Sequence, residues 1–167
     1  LDERIRAIVA FAPLENGDTT HSMLETLASY QRVKGVRRLI QPEPTGFSIQ
    51  ASFVAGVRAL AAHDLSFDIC VAHHQLDDVI KLVRQCPHVR FVLNHGGKPN
   101  IKQHLVEPWR THISQLAGFE NMWCKISGLS TEADHDRWTV SDLEPYIHHL
   151  LHTFGANRLM FGSDFPV

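Results

Sequence analysis

Short runs of β-branched and aromatic residues alternate along the chain with longer stretches in which apolar residues recur every three or four positions. The runs Ile5–Phe11, Val36–Ile40, Phe67–Ala72, Arg90–Asn94, Met122–Ser127 and Arg158–Gly162 predict six strands. Their starts fall 23 to 36 residues apart, close to the roughly 30 residues of a βαβ unit. Helical spacing marks Thr20–Lys34, Ile49–His63, Leu76–Gln85, Lys102–Phe119 and Ser141–Phe154. In the second of these, Phe53, Val54, Val57, Leu60 and Ala61 form one buried face. Pro87 ends the third helix and Gly155 the fifth. The strands are almost continuously apolar, as strands of a parallel sheet covered by helices must be. Nothing in the composition divides the chain, so residues 1–167 read as one α/β unit.

Six parallel strands allow two architectures, a doubly wound open sheet or part of a (β/α)8 barrel. The first loop, Ala12–Gly17, lacks the glycine fingerprint of a dinucleotide site, and no GxxxxGK[ST] occurs. A complete barrel takes about 250 residues, more than the 167 present. Residue 1 is Leu, and the chain stops directly after its sixth strand. We therefore expect a partial sequence, short of two βα units upstream and one helix downstream.

A formal net charge of −2 gives no basic footprint for nucleic acid or an anionic membrane. No apolar run approaches the about 18 residues of a membrane span, and the opening LDERIRAIVAFAP is too acidic for a secretory signal. Cys70, Cys86 and Cys124 are odd in number and widely spaced, which indicates neither a disulfide framework nor a structural zinc site. A cytoplasmic protein with a small-molecule substrate is the expectation, and a homo-oligomer stays open. The unusual count is histidine, 12 residues, so the functional argument turns on which of them matter.

In either architecture, catalytic groups collect beyond the carboxyl ends of the strands. Those ends carry Gln41-Pro42-Glu43, His73-His74, Asn94-His95-Gly96-Gly97-Lys98, Ser127-Gly128 and Ser163-Asp164. One polar strand end is often only a turn or cap; five together point to a site. His95 precedes two glycines, which let the backbone bend and a ligand approach the ring. Asp164 could serve as a general base, as a metal ligand or merely as a helix cap. His148 and His152, spaced i, i+4, lie on an outer helix without a HExxH carboxylate and read as surface residues. The polar segment Glu132–Trp138 is a candidate lid.

The segments Phe91–Pro99 (FVLNHGGKP), Cys124–Leu129 (CKISGL) followed by Thr131-Glu132-Ala133-Asp134, and Arg158–Val167 (RLMFGSDFPV) together resemble the amidohydrolase superfamily. The likeness is to its L-fuconolactonase-like and 2-pyrone-4,6-dicarboxylate lactonase-like branch and runs over essentially the whole chain. It implies a (β/α)8 barrel of the metal-dependent-hydrolase type, with strands three to eight present. It also implies that Asp164 is the strand-eight base that activates water, and that His95 is the strand-six histidine of the same pocket. Either would be a ligand if one divalent cation is bound, zinc being the first choice; a metal-free mechanism stays open. Two departures stand out. The HxH pair expected on strand one does not occur in these residues, and Asn94 stands where an Asp commonly precedes the histidine.

Alternation along barrel strands extends the reading. If His95 points inward, so do Leu93 and Phe91; Gln41 would share a face with Arg37, His74 with Asp68, and Ser127 with Lys125. An unpaired buried ion is costly, so Arg37 should pair with Asp68 on the next strand. His74, Arg37, Lys98, Lys125 and Ser127 are then the candidate substrate contacts. The leading expectation is a hydrolase that opens a lactone, a sugar-acid lactone first, with Asp164 and His95 catalytic. The alternatives are a non-oxidative decarboxylase on the same fold and a catalytically silent binding barrel, and the Cys124-Lys125-Ile126-Ser127-Gly128 segment leans towards the lactonases.

Overall fold

The computed structural model describes residues 2–166. Leu1 and Val167, the last residue of the RLMFGSDFPV segment, lie outside the described residues. Six strands, β1 (Ile8–Phe11), β2 (Val33–Leu39), β3 (Ser66–Cys70), β4 (Phe91–Leu93), β5 (Met122–Ile126) and β6 (Leu159–Phe161), form one sheet. Each pairs in parallel with the next, in the order β1-β2-β3-β4-β5-β6. That monotonic order settles the architecture. A doubly wound sheet reverses its strand order at a switch point, whereas a barrel wall never does. The sheet is a run of consecutive strands of a (β/α)8 barrel.

Five helices connect the strands: α1 (Asp18–Ala28), α2 (Ala51–Ala59), α3 (Leu76–Gln85), α4 (Trp109–Ala117) and α5 (Val140–Phe154). In α3, Leu76, Val79, Ile80 and Val83 form the buried stripe, with Asp77 and Asp78 in the first turn and Arg84 in the last, as the helix dipole favours. Thr139 opens α5, and the Asp142 carboxylate accepts hydrogen bonds from both its N–H and its hydroxyl. Helix α2 approaches the loop after β1 so closely that a Cβ on Gly56 would lie 1.8 Å from the Leu14 carbonyl oxygen. Only glycine fits there. No helix among the described residues is long and apolar enough to cross a membrane.

Several boundaries differ from the sequence reading. Helix α1 ends at Ala28 rather than Lys34, because Val33 and Lys34 already belong to β2, where Val33 pairs with Ile8. The stretch expected as a helix over Lys102–Phe119 begins as a 3-10 turn, Ile101–Gln103, that His104 ends with a left-handed backbone (φ 52°), and it is α-helical only over Trp109–Ala117, with Pro108 at the helix start. The last turn of the second predicted helix tightens to 3-10 geometry over Leu60–His63.

The core lies between sheet and helices. Val36, Phe67, Ile69, Phe91, Leu93, Met122 and Cys124 are all buried on that face, and the rings of Phe53, Phe67 and Phe91 pack edge to face from α2 across β3 to β4. This corrects the expectation that Phe91 and Leu93 share an inward face with His95. They pack outward against the helices. Inner-face parity instead runs through Arg37, Asp68 and Val92, which are in register across β2, β3 and β4.

Candidate active site

His95 escapes the parity of its strand because the backbone turns over at that point. His95 (φ 55°), Gly96 (φ 55°), Gly97 (φ 72°) and Lys98 (φ 49°) all adopt left-handed conformations. Such a run is costly for residues other than glycine, and strain of this kind gathers at functional sites. The turn swings the imidazole off the strand axis and over the end of the sheet. Asp164, after β6, is also left-handed (φ 60°).

The two residues meet: His95 Nε2 lies 3.7 Å from Asp164 Oδ1. On the other side of the ring, Nδ1 lies 3.0 Å from the Ser127 hydroxyl. Gly128 (φ 57°) closes the gap between them, since a Cβ there would sit 2.5 Å from Asp164 Oδ2 and 2.9 Å from His95 Nδ1. The expected gathering of His95, Ser127 and Asp164 at one end of a parallel sheet is what the structure shows. Burial pushes the His95 imidazole below its ordinary value; Asp164 opposes this, while Lys98, Arg37 and Lys125 add to it. Burial thus favours the neutral form of the ring. The buried Cys70 and Cys124 thiols are pushed up, Cys124 to about 12, so neither is a ready nucleophile.

Beneath this pair lies a charged layer on the inner face. Asp68 is buried and pairs with Arg37 at 3.4 Å, as the alternation predicted, and also with Lys125. Asn94, fully buried, accepts a second hydrogen bond from Arg37 Nη2 at 3.1 Å. The Lys125–Asp68 contact was not foreseen, because the two strands are not neighbours. The inner-face residue between them on β4 is Val92, and the lysine stem is long enough to pass over it. Lys98 pairs with Glu132 at 2.7 Å and so fastens the start of the loop after β5 to the end of β4.

The remaining candidates are less central. His74 is exposed, its ring 5.7 Å from that of His73. His73 is the more buried of the two: burial and His74 lower its affinity for protons and Glu132 raises it. Gln41 is exposed as well, whereas Arg37 stays on the inner face. His148 and His152 are exposed, as their outer-helix position suggested.

Two strand-end side chains, His95 and Asp164, thus face each other above a layer of paired charges on the barrel wall. The amidohydrolase family model matches residues 2–167. The chain is 33% identical over 164 residues to an L-fucono-1,5-lactonase of Burkholderia ambifaria, covering 98% of this chain and 56% of that protein. It is 34% identical over 177 residues to an L-fucono-1,5-lactonase of Burkholderia multivorans, covering 99% and 59%. Among solved structures it matches an amidohydrolase from Burkholderia multivorans with bound zinc, at a TM-score of 0.88 and 34% identity, over 99% of this chain and 60% of that one. The chain belongs to the amidohydrolase family. It spans between half and two thirds of the length of these relatives.

Proposed function

We propose that this chain is the larger part of a hydrolase that opens a sugar-acid lactone, with Asp164 activating the attacking water. The observation that carries the reading is the juxtaposition of His95 and Asp164 at 3.7 Å over the sheet end, in a chain about one-third identical to proteins named L-fucono-1,5-lactonase. Two further βα units before residue 1 and a helix after residue 167 complete the barrel in this reading.

His95 and Asp164 also suit a divalent cation, zinc first. The separation of Nε2 and Oδ1 is too long for a direct hydrogen bond, and a neutral imidazole with a carboxylate is an ordinary zinc donor pair. Two donors are half of a tetrahedral set, and the described residues hold no group of three; the others come from strand one in this proposal. When bound, the cation would polarise the ester carbonyl and acidify water.

The chain's own residues do the rest. Asp164 accepts a proton of water as oxygen attacks the acyl carbon and returns it to the ring oxygen as the C–O bond breaks, giving a free hydroxyl; the new carboxyl group releases its own proton to solvent and becomes a carboxylate. Arg37 and Lys125, fixed by Asp68, present their remaining N–H donors to substrate hydroxyls from the inner face. Lys98 orders the loop through Glu132, and His74 stands at the rim as an outer contact. Ser127 is spent on His95 rather than on substrate.

The test is Asp164→Asn in the complete enzyme. Asparagine keeps the size and tolerates the left-handed backbone but cannot take the proton. Hydrolysis of L-fucono-1,5-lactone and related aldonolactones should fall by about 10²–10⁴ in kcat, with the thermal transition retained. Near-normal turnover by the folded variant overturns the assignment, because asparagine caps a helix about as well as aspartate.

A further inference from the structure

The Ser127 hydroxyl is enclosed together with the ring it touches: Ser127 and His95 are 7% and 8% exposed. Among the described residues this hydroxyl makes no hydrogen bond other than the one to Nδ1. It is therefore free to turn about its Cβ–Oγ bond. Gly128 packs against the same edge of the ring, where a Cβ would lie 2.9 Å from Nδ1.

A neutral imidazole has two ring nitrogens and one N–H. With the proton on Nδ1, the lone pair of Nε2 points towards the Asp164 carboxylate, and two acceptors face each other. That is unfavourable unless a cation lies between them. With the proton on Nε2, the ring instead directs an N–H at the carboxylate, and Nδ1 needs a donor. A backbone carbonyl beside Nδ1 would permit only the first form, and a backbone N–H only the second. A hydroxyl donates or accepts and permits both.

We propose that Ser127 is a positioning residue that lets His95 exchange between two tautomers. In one, Nε2–H is directed at Asp164; in the other, the Nε2 lone pair is free to join Asp164 on a divalent cation. On exchange one proton leaves Nε2 to water and one enters Nδ1 from water, so the ring's charge does not change. The serine hydroxyl rotates from donor to acceptor. This assignment rests on reading His95 and Asp164 as the reaction centre, and it extends to Ser127 the general rule that the outer nitrogen of a ligating histidine needs a defined partner.

The experiment uses the complete enzyme labelled with ¹⁵N-histidine, stripped with a chelator and then given one equivalent of zinc at fixed pH. Long-range ¹H–¹⁵N spectra, with the His95→Gln variant to assign the ring, should show Nε2–H in the stripped protein and Nδ1–H in the zinc-loaded one. Ser127→Ala should bind zinc about 10–100-fold more weakly with its thermal transition unchanged when metal-free. One tautomer in both states overturns the proposal, as does unchanged zinc affinity in Ser127→Ala or failure of the parent enzyme to bind zinc. Lactone hydrolysis on the same samples separates the two readings. An enzyme that shows the exchange and opens no lactone supports the role of Ser127 while rejecting the substrate assignment.

Discussion

At the scale of single residues, three imidazoles set how stability responds to acid. His73, His95 and His149 are all held below their ordinary values, in each case chiefly by burial. The unfolded chain then binds more protons than the folded one between the folded values and the unfolded value near about 6.5. Stability is complete above that unfolded value and is lost as pH falls through it towards the folded values. The urea midpoint of the chelator-treated protein should therefore drop steadily between about pH 7.5 and pH 5.5. Replacing His149, which bonds the Arg110 carbonyl at 3.0 Å, with glutamine should shallow that slope. A midpoint independent of pH over this interval would contradict the burial of these rings as the cause.

At the scale of elements, Asp68 is where the sheet holds its charges together. It lies on β3 and meets Arg37 from β2 and Lys125 from β5. Asp68→Ala leaves two cations side by side on the inner face with no counter-ion. Breaking a buried pair this way costs about 3–5 kcal/mol, and the lower end applies because Arg37 keeps 37% of its side chain in solvent. Urea unfolding should register this as a lower midpoint at unchanged slope, and Lys125→Met in the same chain should recover part of it. A loss within the roughly 0.5 kcal/mol of an ordinary surface substitution would show that the layer is not electrostatically closed. The Arg37–Asp68 half of the layer was legible in the sequence, because adjacent parallel strands with period-two patterning fix which side chains meet. The Lys125 half was not. It depends on the length of one side chain over Val92, which no pattern along the chain records. The same limit explains His95: its strand was readable from Phe91-Val92-Leu93, but a left-handed run beginning at the histidine cancels the alternation that the strand would otherwise impose. Gly96-Gly97 signalled a bend without giving its direction. The start of helix α4 is hidden in the sequence because the apolar spacing from Lys102 onward continues through residues that His104 and Pro108 keep out of the α-helix.

At the scale of the whole molecule, the sheet has two outer strands, β1 and β6, and large apolar groups stand exposed on both. Phe11 is 64% exposed, Phe161 87%, and Phe165, just beyond β6, 89%. Val9, Phe11 and Leu39 line an open cavity with Arg37 on the inner face. Open strand edges beside exposed aromatic residues are templates for pairing with another chain. A polypeptide of residues 1–167 produced alone should therefore self-associate through these edges. Sedimentation velocity should show mass rising with concentration, and an apolar dye should bind. Placing lysine at Phe11 and Phe161 should reduce the association, since charge on an edge opposes pairing, and should spare the core because neither ring is buried. The complete enzyme, whose further strands cover both edges in our reading, should bind no excess dye and should hydrolyse lactone, whereas the 167-residue polypeptide, with only two of the proposed metal donors, should not. A monomeric, dye-silent 167-residue protein would mean that these edges are protected within the chain itself, and the barrel-closure reading of β1 and β6 would fall.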